Sequence, residues 1–220
     1  MIRIKWHGHS CFEIWGEKGE PRILLDPHDG GSIGLPRPKP EKPDVILVTH
    51  NHFDHNFYKP YAGKDTVVIK WKEGTYSIKG VTITGIRVPH DEAGGKIRGN
   101  VTAYKINYNG ITLLHLGDLG TEKLPEETLD KLAGSNVVFI PVGGVYTIGP
   151  VAANRLLENI KPNVAVPMHF WITGMTLPID PIDRFLEVTR FRRYRIDNNE
   201  FDLDKDKLPE PISIFLLKLR

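Results

Sequence analysis

Cysteine is nearly missing from this chain: of 220 residues only Cys11 is one, and glutamine does not occur at all. One cysteine cannot close an internal disulfide or build a thiolate-rich zinc site, so a disulfide framework and zinc-finger logic are excluded. Any metal bound here must be held by histidine and carboxylate. No apolar run reaches the length of about 18 residues that a membrane helix needs. The longest apolar stretch, from Val137 onward, is broken by Pro141, Gly143 and Gly144. The opening residues Met1, Ile2, Arg3, Ile4 and Lys5 lack the apolar segment of a signal peptide, so a cytoplasmic location is expected. An excess of one charge is also lacking. The 29 basic residues face 27 acidic ones, which gives no polyanion-binding surface and makes a nucleic-acid partner unexpected. Absent glutamine, scarce cysteine and a charged surface lean toward a thermophilic source.

What is present is ordinary globular material, 40% apolar and 25% charged. The length suits one α/β domain spanning 1–220. No linker, low-complexity tract or fixed-period repeat interrupts it, and the Pro-rich basic stretch 36–43 reads as a surface loop. Strands are expected at 2–6, 11–15, 22–26, 45–49, 66–70, 81–88, 101–107, 111–115, 136–140, 163–166 and 212–217. Asn109-Gly110 is a two-residue hairpin turn signal. Helices are expected at 125–133, 150–160 and 181–190, each with proline at its first position and the last with Asp180 as N-cap. Many strands with helices outside imply a layered α/β domain.

Nine histidines stand against the single cysteine. The run 45–49 ends at His50, 81–88 at His90, the run from 111 at Asp118, and the run from 164 at His169. Strand ends are where rigid scaffolds present functional groups, and four of them doing so suggests one shared site. The centre of the pattern is His50-Asn51-His52-Phe53-Asp54-His55. Residues two apart diverge on a helix but share a face in extended chain. His50 and His52 can therefore grip one ion only from a strand end or loop, and Asp54 and His55 would reach a second ion beside it. Imidazole and carboxylate suit zinc, iron, manganese or nickel.

This segment resembles the His-x-His-x-Asp-His signature of the metallo-β-lactamase superfamily, and the rest of the chain follows in order. The resemblance implies a four-layered αββα sandwich with the site at one edge. It implies two divalent ions, with zinc foremost. One ion is then held by His50, His52 and His90, the other by Asp54, His55 and His169, and Asp118 touches both. Gly8-His9-Ser10, Asp26-Pro27, Pro141-Val142-Gly143-Gly144 and Pro167-Met168-His169 are similar to the compact hydrolase branch, which includes ascorbate-6-phosphate lactonase and N-acyl-phosphatidylethanolamine phospholipase. Asp91-Glu92 after His90 and Leu119 after Asp118 depart from the pattern of those relatives.

Around the ligands, His9 reads either as a hydrogen-bond donor to substrate or as a buried structural histidine. Asp26 reads as a carboxylate that orients a ligand histidine or as an exposed turn residue before Pro27, and His115 as a packing or supporting residue. Tyr146 and Thr147 belong to a turn, 143–149, that reads either as a pocket wall aiming amides at an anion, which the resemblance favours, or as a close-packed turn into a helix. His7 and His28 read as surface or loop residues, and Cys11 as a small buried hydrophobe.

The implied chemistry is hydrolysis of an ester, lactone or phosphodiester in a small molecule by a bridging hydroxide. Asp54 is then a catalytic residue that also steers a proton. Three rivals are a di-iron redox protein, a nuclease or phosphodiesterase of the same fold, and a non-catalytic metal-binding or regulatory protein. A homo-oligomer is compatible with all of them.

Overall fold

In the computed structural model, which describes residues 1–210 and 212–219, the apolar runs of the sequence become strands of two facing sheets. The first sheet contains β1 (Ile2–Trp6), β2 (Phe12–Trp15), β3 (Ile23–Leu25), β4 (Val45–Val48) and β5 (Val67–Lys70). The second contains β6 (Gly74–Ile78), β7 (Val81–Pro89), β8 (Asn100–Tyr108), β9 (Ile111–His115), β10 (Val137–Pro141) and β11 (Val164–Met168). Late in the chain, β12 (Arg192–Ile196) and β14 (Ser213–Leu217) join the second sheet and β13 (Glu200–Leu203) joins the first. The strand orders are β13-β1-β2-β3-β4-β5 and β12-β14-β11-β10-β9-β8-β7-β6.

β7, β8 and β9 run antiparallel, so β7 and β9 point the same way. From β9 through β10, β11 and β14 to β12 all pairings are parallel. The carboxyl ends of β7, β9 and β11 therefore share one edge of the sheet, and that edge carries His90, Asp118 and His169. In the first sheet β3, β4 and β5 are parallel, and β4 delivers His50. The Thr102 amide donates to the Thr49 carbonyl at 2.9 Å and the Tyr104 hydroxyl to the Val48 carbonyl at 3.1 Å. These bonds fasten the end of β4 to β8 of the other sheet.

The core lies between the sheets and under the helices. Ile4, Ile14, Val45 and Leu47 of the first sheet meet Ile83, Tyr104, Ile106 and Leu113 of the second. Helices α1 (Glu126–Leu132), α2 (Pro150–Ile160) and α3 (Ile182–Val188) cover the second sheet, with α2 between the other two. The stripe Ala153, Leu156, Leu157 and Ile160 of α2 is buried in that core. The expected four layers are present in thin form. Ile46 and Val48, on the outer face of the first sheet, are covered by Tyr58, Tyr61 and Ala62 around one 3₁₀ turn rather than by an α-helix.

Several boundaries differ from expectation. Only α2 has proline at its first helical position; Pro125 and Pro181 stand one residue earlier as N-caps, with extended ψ of 147° and 162°. Asp180 is thus not the cap of α3. Three strands, β6, β12 and β13, were not expected. The hairpin at Asn109-Gly110 is as expected: φ is +52° and +75°, the pair of positive values a type I′ turn requires.

Candidate metal centre

The His50–His55 region is a loop after β4, not a helix, so neighbouring side chains converge. His50 Nε2 lies 2.9 Å from His52 Nδ1, and His90 Nε2 lies 3.4 Å from the same atom. Asp118 Oδ2 stands 3.6 Å from both His50 Nε2 and His90 Nε2. It also stands 3.3 Å from His169 Nε2, while Asp118 Oδ1 stands 3.2 Å from His55 Nε2. His55 Nε2 is 3.5 Å from Asp54 Oδ2. The ligand-capable atoms form two groups, His50-His52-His90-Asp118 and His9-Asp54-His55-His169, each within 4.8 Å. All are buried except His52, which opens to solvent.

These spacings test the fit of a metal. Bonds of 2.0–2.1 Å in a tetrahedron separate ligand atoms by about 3.3 Å, and the separations here run from 2.9 to 3.6 Å. The protonation pattern agrees. His55 Nδ1 donates to Asp26 Oδ2 at 2.9 Å. In the neutral ring Nε2 is then a bare lone pair, yet it faces the carboxylates of Asp118 and Asp54. Acceptors aimed at one another need positive charge among them, which a proton on Nε2 or a metal ion supplies. Burial alone lowers the His55 pKa, but those carboxylates outweigh it and hold it well above the ordinary value. Asp118 shows the converse: burial raises it, and the surrounding His169, His55 and His50 hold it well below the carboxylate range. The residues fit two adjacent divalent ions, with Asp118 between them. Five imidazoles and two carboxylates suit zinc, manganese, iron or nickel.

Support for the ligands comes from one buried carboxylate. Asp26, at φ +43°, accepts the Thr49 amide and the Thr49 hydroxyl, each at 2.7 Å, as well as His55. The Thr49 hydroxyl, having given its proton to Asp26, accepts from His50 Nδ1 at 2.9 Å. One carboxylate thereby sets the tautomer of a histidine in each group. Asp26, His50 and His55 also lie close enough to resemble a third cluster, but the atoms nearest Asp26 are Nδ1 atoms engaged in hydrogen bonds. His90 Nδ1 and His169 Nδ1 are buried without such a partner, and backbone packing holds them instead. A Cβ at Gly120 would stand 2.2 Å from the carbonyl carbon of His90, and one at Gly143 would stand 2.2 Å from the carbonyl oxygen of His169. Only glycine lets those loops close on the ligand-bearing chain.

His9 is fully buried and its Nε2 lies 3.0 Å from Asp54 Oδ2. Burial first, then the neighbouring His169, lowers its pKa to about 3. The ring is therefore neutral at pH 7 and donates to Asp54. His115 spends both nitrogens on backbone, Nε2 toward the Ser10 carbonyl at 2.9 Å and Nδ1 accepting the Gly117 amide at 3.2 Å. It shapes the turn that presents Asp118. The amides of Tyr146 and Thr147 both donate to the Gly144 carbonyl, and that of Ile148 to the Leu119 carbonyl, so these three are not free for an anion. Tyr146 instead carries the Arg98 guanidinium over its ring at 5.4 Å. His7 and His28, expected to be surface or loop residues, lie in loops but are buried: His7 pairs with Glu13 at 2.9 Å and His28 packs against His9.

Sequence reasoning missed Thr49, which precedes the motif and is recognisable only once its hydroxyl is seen between Asp26 and His50. It also missed the use of Asp91. That carboxylate accepts the amides of Ala93, Gly95, Ile97 and Arg98 at 2.7–3.0 Å and ties the loop after His90 into a closed turn. A recess of about 410 Å³ lined by His50, Asn51, Trp71, Arg87 and Asn100 opens beside the first group.

The order of ligands, their strand ends and their two-group geometry decide the family, and a family model described as "Beta-lactamase superfamily domain" matches residues 3–169. The chain belongs to the metallo-β-lactamase superfamily. Among curated relatives of this superfamily member, a UPF0173 metal-dependent hydrolase of Thermococcus onnurineus is 32% identical, over 77% of this chain and 85% of its own. One from Thermoplasma acidophilum is 30% identical, over 77% and 83%. Among solved structures, a metallo-β-lactamase superfamily protein of Thermotoga maritima matches with a TM-score of 0.76 at 27% identity, covering 99% of this chain and all of the other. Among the described residues no helix is long and apolar enough to cross a membrane.

Proposed function

We propose that this protein is a metal-dependent hydrolase whose binuclear centre, with zinc as the metal, cleaves an ester, lactone or phosphodiester bond in a small molecule. The observation that carries the reading is Asp118, whose two oxygens face histidines of both groups at 3.2–3.6 Å. The relatives named metal-dependent hydrolases, and the Thermotoga protein described as a candidate Zn-dependent hydrolase, support it. Two bound divalent ions supply Lewis acidity and a hydroxide nucleophile near neutral pH.

The chain's own residues do the rest. His50, His52 and His90 hold the first position; Asp54, His55 and His169 hold the second; Asp118 fixes their separation. His9 donates to Asp54 Oδ2, the oxygen that also faces His55 Nε2, and so orients the carboxylate that would hold the second ion and steer the proton of the attacking water. His52, exposed to solvent, marks the side from which substrate enters. Water adds across the scissile bond, one product taking the hydroxyl and the other the proton, and no serine or cysteine nucleophile is needed.

The test is metal analysis of purified protein followed by a panel of esters, lactones and phosphodiesters. His52→Ala and Asp54→Ala are each expected to lose at least one equivalent of metal and to cut turnover by a factor of a hundred or more. Full metal content and full activity in either variant would sink the proposal.

A further inference from the structure

We infer that the substrate carries an apolar tail, and that a cavity beside the metal centre receives it; this rests on the hydrolase reading above. The cavity has a volume of about 620 Å³, within the range of small-molecule sites. Its walls include Trp6, Leu35, Phe170, Ile172, Phe215 and Leu219. It lies at the carboxyl ends of β11, β14 and β12, the edge of the sheet that also bears His169.

No metal-site histidine lines the cavity, but the chain joins the two directly. His169 belongs to the second metal group, and Phe170, Ile172 and Thr173 immediately after it line the cavity. The shared wall is rigid. Phe170 stacks on Trp6 with ring centroids 5.6 Å apart, and the Trp6 indole donates to the His9 carbonyl at 2.9 Å. Two large apolar side chains close in sequence to the candidate ligands are exposed: Trp171, two residues after His169, at 39%, and Phe53, between His52 and Asp54, at 61%.

The charges of the lining balance. Two acidic side chains, Asp183 and Asp197, and two basic ones, Arg195 and Lys218, line it, so an anionic headgroup gains no net charge attraction there, whereas an uncharged hydrocarbon chain gains the transfer free energy of its methylenes. Most of the lining comes from beyond residue 169, where the family model ends. The cavity is thus built mostly outside the segment that the family model spans, which is where a specificity element belongs.

The test uses metal-loaded protein and p-nitrophenyl esters with acyl chains of two to ten carbons. Each buried methylene is worth about fourfold, so kcat/KM should climb by about that factor per carbon until the cavity is filled. Thr173→Trp, which plugs the cavity from an exposed position, should cut turnover of the eight-carbon ester tenfold or more. It should leave the two-carbon ester and the metal content unchanged. Leu186→Trp on the α3 wall serves the same purpose should the first variant fail to fold.

Binding of the neutral fluorophore N-phenyl-1-naphthylamine, displaced by octanol, reads the cavity without catalysis. Loss of that binding in the plugged variant supports the inference even where no ester is turned over, an outcome that counts against the hydrolase reading alone. Turnover with no chain-length dependence, or fluorophore binding unaffected by the plug, overturns the inference.

Discussion

Asp26 is the residue on which both metal groups depend although it belongs to neither. Its carboxylate holds His55 directly and His50 through the Thr49 hydroxyl. Such supporting partners of metal-bound histidine typically change affinity by 10–100-fold. Asp26→Ala is therefore expected to weaken both ions by that order, measured by competition with a chelator. Thr49→Val should weaken only the ion held by His50, because His55 keeps its carboxylate; equal losses at both sites would refute the relay. A different histidine sets a pH dependence. His28 is buried, its Nε2 donates to the His7 carbonyl at 3.3 Å, and its Nδ1 has no hydrogen-bond partner among the described residues. Burial lowers its pKa from 6.5 to about 4. The native state then stays neutral where the unfolded chain takes a proton, so stability falls as pH drops below 6.5 and the loss is complete near 4. That difference is worth on the order of 3 kcal/mol. His28→Asn should flatten the curve of unfolding free energy against pH by about this amount in urea titrations between pH 7 and 4. An unchanged slope would assign the acid sensitivity to other groups.

At the scale of elements, the strands buried on both faces were readable because continuous apolar runs such as 45–48 and 137–141 leave no other reading. The candidate ligands were readable for a related reason: the runs from 45, 81 and 164 lead within two residues to His50, His90 and His169, and the run from 111 leads to Asp118. β12 was not readable, since Arg192, Arg193 and Arg195 mask its alternation. As the edge of the larger sheet, it carries the charge that keeps such edges from pairing with other chains. β6 and β13 are short edge strands with little apolar content, and their pairing is a tertiary decision. The turn after β10 held a surprise of another kind. Val145 is 57% exposed at φ +58°, a conformation that costs a β-branched residue about 1–3 kcal/mol. Relief of that strain offsets the entropy a glycine loses on folding. Val145→Gly is expected to leave the unfolding free energy unchanged or raise it. The same substitution at Val151 in α2, similarly exposed at 50%, should lower it by about 0.4 kcal/mol. Equal destabilisation at the two positions in thermal melts would show that Val145 carries no strain.

At the scale of the molecule, the family model ends at His169 but the fold does not. β13 covers the free side of β1, and β14 pairs with β11, the strand that delivers His169. Phe185, Leu203 and Ile214, all from this last segment, are buried in the main core. A chain ending at 169 would leave β1 and β11 as long apolar edges and place a metal ligand at a frayed terminus. Residues 170–219 are in this view part of the catalytic frame as well as the wall of the apolar cavity. A truncated protein of residues 1–169 is therefore expected to aggregate or to melt without a cooperative transition, and to retain less than one equivalent of metal. Circular dichroism melts and metal analysis beside the full chain measure both. A cooperative, fully metal-loaded fragment would show instead that the catalytic frame is complete without the last strands, and that their role is confined to the cavity they build.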